Sequence, residues 1–237
     1  MALSVILVHG AWTDGSSWSR VIPFLLDQGY RVVAAQIPLT SLADDSAVVR
    51  RLLAVQRGPT ILVGHSYGGM VITEAATNSP NVSGLVYVSA FVPDQGETLG
   101  ELNARNPASV GPLPLRFNDP GFVWIDPVEF TNAFAQDLEP AVARVLAVAQ
   151  KPIAAKVFGE KAGPPAWKSL PAWYLVSETD RILSPQTQWF MARRIGAATY
   201  SVPGSHASLI SHAPETAELI GSAVHRVRAA AKVATPL

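Results

Sequence analysis

The chain has 237 residues, 18 basic against 18 acidic side chains, and no cysteine, which excludes disulfide frameworks, thiolate metal sites and thiol nucleophiles. A formal charge of zero removes the general electrostatic drive toward polyanions, so nucleic acid is not an expected partner, and the basic cluster Arg226, Arg228 and Lys232 reads as a solvated helix end. With 49% hydrophobic and 15% charged residues, the chain can bury a large core as a single domain over residues 1–237. The longest apolar runs, such as 4–8 and 32–35, fall far short of the roughly 20 residues of a membrane span. The first residues carry no basic leader and run straight into a strand, so cytoplasmic residence is expected.

In chain order, short β-rich runs alternate with longer segments of helical period, the pattern of a parallel sheet with crossover helices. A strand over 4–8 precedes a helix over 18–28, and strands over 31–36 and 60–63 bracket a helix over 44–56. A helix over 67–78 then leads to a strand over 84–89. After a long interval come a strand over 172–177, a helix over 185–195, a strand over 199–202 and a last helix over 213–232. The six strands are rich in Val, Ile, Leu and Tyr, as strands buried on both faces should be. Gly29 and Gly196 stand where helix C-caps belong. Residues 91–171 break the rhythm, because ordinary connections in such folds need only about 2–6 residues. This interval holds many of the 19 prolines, among them Pro107, Pro112 and Pro120, and one clear helix over 139–149. It reads as a cap inserted after the fourth strand and lying over the sheet.

Chemistry concentrates where strands end. Residues 60–69, TILVGHSYGG, are an apolar strand, a G-x-S-x-G turn and the start of a helix. That is a nucleophile elbow, in which Gly64 and Gly68 let neighbouring backbone pass and Ser66 is lifted to a helix N-terminus. A serine hydroxyl needs a base, normally histidine oriented by a carboxylate. Asp180 lies just beyond the strand over 172–177 and His206 just beyond that over 199–202, where open α/β sheets gather their functional groups. Glu178 is the competing acid, nearer the strand end. An oxyanion hole needs two backbone donors: the Tyr67 amide, directly after Ser66, is one expectation, and Ala11, in the slim loop after the first strand, is the other. Trp12 is a candidate for the pocket lining. His9 reads as a hydrogen-bonder at a strand end, His65 as packing beside the elbow, and His212 and His225 as residues at or near the surface of the last helix. No close cluster of histidine and carboxylate suggests a metal site.

These motifs, His9-Gly10-Ala11-Trp12 with Trp18, the elbow 64–69, and Asp180 followed by Pro203-Gly204-Ser205-His206, resemble the α/β-hydrolase superfamily across essentially the whole chain. They are most similar to the compact branch that includes plant methylesterases, hydroxynitrile lyases and their bacterial esterase relatives. The resemblance implies an α/β-hydrolase fold with a six-stranded, mainly parallel sheet under a small cap, a Ser66–His206–Asp180 triad and no cofactor. The similar plant lyases carry threonine at the place of Gly10 and lysine directly after the catalytic histidine, where this chain has Ala207. The resemblance therefore leans to hydrolysis of small or medium uncharged esters. Alternatives left open are a slow-turnover binding protein on the same scaffold, and lactonase, hydroxynitrile lyase or perhydrolase chemistry. Of the aromatic residues in the cap, Phe91, Phe117, Phe122, Phe130 and Phe134 are expected mostly to pack it onto the sheet. Trp124 is the remaining candidate for the pocket. No oligomeric state is read from the sequence.

Overall fold

The computed structural model describes residues 3–106, 113–118 and 121–233; Pro107, Pro112, Pro120 and the tail 235–237 lie outside them. The first half alternates strand and helix: β1 (Ser4–Val8), α1 (Ile22–Asp27), β2 (Arg31–Ala35), α2 (Leu42–Ala54), β3 (Thr60–His65), α3 (Tyr67–Ala76) and β4 (Val82–Val88). Then come α4 (Leu99–Arg105), β5 (Leu115–Asn118), β6 (Phe122–Ile125), α5 (Pro127–Phe134), α6 (Pro140–Val148) and β7 (Ile153–Ala154). The chain returns through β8 (Ala172–Ser177), α7 (Pro185–Arg194), β9 (Ala198–Val202), α8 (Ser208–Ser211) and α9 (Ala213–Val233).

Six strands form one parallel sheet in the order β2-β1-β3-β4-β8-β9. The register sets Val8 beside Ala35 and Gly64, and Gly64 beside Tyr87, so neighbouring strands end together. Helices flank the sheet: α9 lies on β3, β4 and β8 and meets α1, while α3 lies on β1, β3 and β4 and meets α2. Central strands β1, β3 and β8 are buried throughout. The outer strands β2 and β9 correct the expectation of burial on both faces, since Arg31, Ala198, Tyr200 and Ser201 are exposed. An edge strand has a neighbour on one side only, a property of its place in the sheet that its composition does not encode. None of the described helices is long and apolar enough to cross a membrane.

Two segments differ from the sequence reading in content. The expected helix over 18–28 is a 3-10 turn, Gly15–Trp18, followed by the shorter α1. Pro23, which has no N–H to give, is accommodated in the first turn of α1 rather than in the interior of a longer helix. The described part of residues 91–171 holds more regular structure than the single helix expected, namely three α-helices, two 3-10 turns and an antiparallel sheet in the order β5-β6-β7. The signals were local and short. Thr98 and Glu101 form a reciprocal capping box at α4, and Asp126 caps α5 with Pro127 at its start. The strands β5 and β6 have only four residues each, too few for their alternation to stand out among the prolines.

Candidate active site

The loops after β1, β3, β8 and β9 open on the same edge of the sheet, because the strands are parallel. Ser66 leads from β3 into α3 with φ +52°, a backbone conformation that L residues adopt at a cost of about 1–3 kcal/mol. The turn closes because its glycines leave room. A Cβ on Gly68 would lie 2.5 Å from the Val8 carbonyl oxygen and 2.7 Å from that of His9, which packs the elbow against the end of β1. From the other side, a Cβ on Gly10 would meet Ser66 Cβ at 2.7 Å. The Gly10–Ala11–Trp12 loop therefore lies directly against the serine.

Three side chains meet at this edge. Ser66 Oγ is 2.8 Å from His206 Nε2, and His206 Nδ1 is 2.7 Å from Asp180 Oδ2. With Nδ1–H donating to the carboxylate, Nε2 is free to accept the serine O–H. Asp180 also accepts the Ile182 and Leu183 N–H groups on Oδ1, at 2.8 and 3.0 Å, and the Gln188 side-chain N–H on Oδ2 at 2.8 Å. The carboxylate is nearly inaccessible, and these bonds offset the loss of water. Glu178 is exposed and accepts the Trp189 indole N–H instead. His206 is fully buried, with its ring roughly perpendicular to that of Phe134 at a centroid distance of 4.9 Å. The loop that carries it is held by Asp137, which accepts from Ser205 N–H and Ser211 O–H.

A cavity of about 510 Å³ opens beside Ser66. Ala11, Trp12 and Tyr67 form its sheet side, and Phe91, Leu99 and Phe158 belong to the wall contributed by residues 91–171. Asn103 supplies an amide to a lining with no charged side chain among the described residues. Among the described residues, neither the Ala11 nor the Tyr67 amide donates to another backbone group. Trp12 has φ +62° and donates its indole N–H to the Val123 carbonyl, which fixes its ring in the wall. Such an arrangement can activate a hydroxyl nucleophile beside an apolar space and offer backbone donors to an anionic oxygen.

The sequence model of the alpha/beta hydrolase family matches residues 5–219. The chain belongs to the alpha/beta hydrolase family. Among its relatives is the carbendazim hydrolyzing esterase of Nocardioides sp. (strain SG-4G), 36% identical over 109 residues, a match spanning 40% of this chain and 44% of that protein. Less than half of that relative's length is therefore represented. Methylesterase 8 of Arabidopsis thaliana is 25% identical over 209 residues, 78% of this chain and 75% of that protein. The likeness to plant methylesterases thus extends over most of the chain. A crystal structure of a pyrethroid hydrolase from Sphingobium faniae JZ-2 superimposes with a TM-score of 0.78 at 23% identity, covering 93% of this chain and 97% of that one, a likeness of fold.

Within this alpha/beta hydrolase the remaining candidates separate. His65 is fully buried beside the elbow and donates Nε2–H to the His206 carbonyl at 2.8 Å. Burial, with His206 next to it, holds the His65 pKa well below its ordinary value, so the ring is neutral. His9 donates Nδ1–H to Gly10 O and accepts the Ile37 N–H on Nε2. The structure does not bring Trp124 to the cavity; it is half-buried against the core, as is Phe122. Phe130 and Phe134 are core residues, and Phe117 is 70% exposed. Several residues escaped sequence reasoning, among them Asp137 and the cavity residues Leu99, Asn103 and Phe158. Gln188, a polar side chain on the buried face of α7, braces Asp180. Asp45, a buried acid in the first turn of α2, meets the Tyr67 hydroxyl.

Proposed function

We propose that this chain is a serine esterase that hydrolyses small to medium uncharged carboxylic esters, with residues 91–171 acting as the cap over its site. The observation that carries the reading is the continuous hydrogen-bonded line from Ser66 Oγ through His206 to Asp180 at the wall of a cavity whose described lining carries no charged side chain. Ser66 Oγ attacks the ester carbonyl while His206 Nε2 takes the hydroxyl proton. Asp180 holds the tautomer and stabilises the imidazolium. The Tyr67 and Ala11 amides receive the oxyanion, whose charge develops beside the N-terminus of α3. The intermediate collapses to an acyl-enzyme as His206 returns the proton to the departing alcohol. Water, deprotonated by His206, then attacks the acyl carbon, and the acid leaves with Ser66 restored.

The lining supports an apolar, neutral acyl or alcohol group, since the described residues offer a charged group no partner to offset its desolvation. Ala207, fully buried next to His206, brings no cation to the site, which favours ester hydrolysis over release of an anionic leaving group such as cyanide. Steady-state hydrolysis of p-nitrophenyl acetate, butyrate, octanoate and laurate by the wild type and by Ser66→Ala tests the reading. Repeated turnover by the wild type and none by the alanine variant is expected. Activity retained by Ser66→Ala would mean that another group reacts.

A further inference from the structure

Asp45 has no solvent exposure and no part in the chemistry above, yet it bridges two segments next to the site. Its Oδ1 accepts the Leu39 N–H at 2.7 Å, and its Oδ2 accepts the Tyr67 O–H at 2.7 Å. Burial pushes its carboxyl above the usual carboxylate range, while the hydrogen bonds from Tyr67 and Leu39 pull the other way. Burial and the neighbouring Asp45 also raise the Tyr67 phenol above its ordinary value, so the phenol keeps its proton and donates.

Both partners have constrained backbones. Leu39 has φ +64°, a left-handed conformation that persists only where surroundings hold it. Its carbonyl accepts the Ala154 N–H of β7 at 2.9 Å, and Ile37, two residues earlier, is bound by His9 and by the Lys151 ammonium. Tyr67 is the first residue of α3 and one of the residues that line the cavity. Its aromatic ring and its amide share one Cα, so fixing the hydroxyl end constrains where that amide points. A buried carboxylate is expensive to keep, and an apolar residue of similar size would fill the space at less cost.

We propose that Asp45 is a positioning residue, which through the Tyr67 hydroxyl aims the first amide of α3 at the oxyanion and ties that aim to the strained turn at Leu39. The proposal rests on Ser66 being the nucleophile. Removing the hydroxyl leaves the ring and its packing in place while releasing the amide. Small misalignments of such donors reduce turnover far more than substrate affinity.

The test counts reactive serines with a fluorophosphonate, from which Ser66 Oγ displaces fluoride at phosphorus. It then measures kcat and KM for p-nitrophenyl butyrate per labelled serine, alongside thermal unfolding. Tyr67→Phe should lower kcat about tenfold or more and slow the labelling rate in parallel, with KM within about twofold. Asp45→Asn keeps an oxygen for Leu39 and an N–H for the Tyr67 oxygen, and should recover most of kcat. Wild-type kcat per labelled serine in Tyr67→Phe, even with a lower Tm, would make Asp45 a structural brace and overturn the proposal. If Tyr67→Phe does not fold, Asp45→Ala carries the same expected fall in kcat, and wild-type kcat there overturns it too. Failure of the underlying reading is separable: the wild type would then take no label at Ser66, and the role of Asp45 would fall with it.

Discussion

Acidification from pH 7 to pH 5 should weaken the fold through His9, a residue outside the proposed chemistry. Its imidazole is fully buried at the end of β1, spanning the Gly10 carbonyl and the Ile37 N–H at 2.9 and 3.2 Å. Burial, with a smaller contribution from Lys151, lowers its pKa from 6.5 to about 4. Between those values the unfolded chain binds a proton that the folded chain refuses. Stability from this group is therefore present above the unfolded pKa and is lost as pH falls toward the folded one. With those two constants, the loss between pH 7 and pH 5 is about 2 kcal/mol from His9 alone. Neutral, buried His65 adds a loss of the same sign. Asp45, whose pKa is raised, acts in the opposite sense and regains stability toward low pH. A comparison with His9→Gln isolates the term. Urea unfolding followed by tryptophan fluorescence at both pH values should give a stability difference about 2 kcal/mol smaller in the variant than in the wild type. Equal pH sensitivity in the two proteins would refute the assignment of a neutral, desolvated His9.

Asp180→Asn presents an N–H where His206 Nδ1–H now finds an acceptor, and should favour the wrong imidazole tautomer. A fall of about 10⁴-fold in kcat with little change in KM is expected from steady-state kinetics, and a loss below tenfold would remove Asp180 from its orienting role. Ala104 lines the cavity from α4, so Ala104→Phe should lower kcat/KM for p-nitrophenyl octanoate much more than for the acetate. An unchanged ratio would mean that the acyl chain lies elsewhere.

What could be read from the residues alone was what short stretches of chain decide. An apolar run followed by G-x-S-x-G reads as a sharp turn, because only glycine at position 64 leaves room for the backbone of Gly68 and Gly69 to fold back over it. Gly29 and Gly196, at φ +74° and +62°, mark helix ends because glycine takes a left-handed conformation without steric cost. The parallel sheet followed from alternation, and with it the common edge on which Ser66, Asp180 and His206 lie. Other features depend on which distant segments come together, and no local pattern carries that information. The place of β2 and β9 at the sheet edges, the bracing of Asp180 by Gln188, the ring of Phe134 against His206 and the cavity walls drawn from residues 91–171 are all of this kind. So is the link from Asp45 to Tyr67. Asp45 by itself reads as one more acid in the first turn of a helix, favoured there by the dipole. Only when α2 packs against α3 is its carboxylate shut away from water with the elbow's tyrosine as its partner, because burial and partnership are properties of the packed chain.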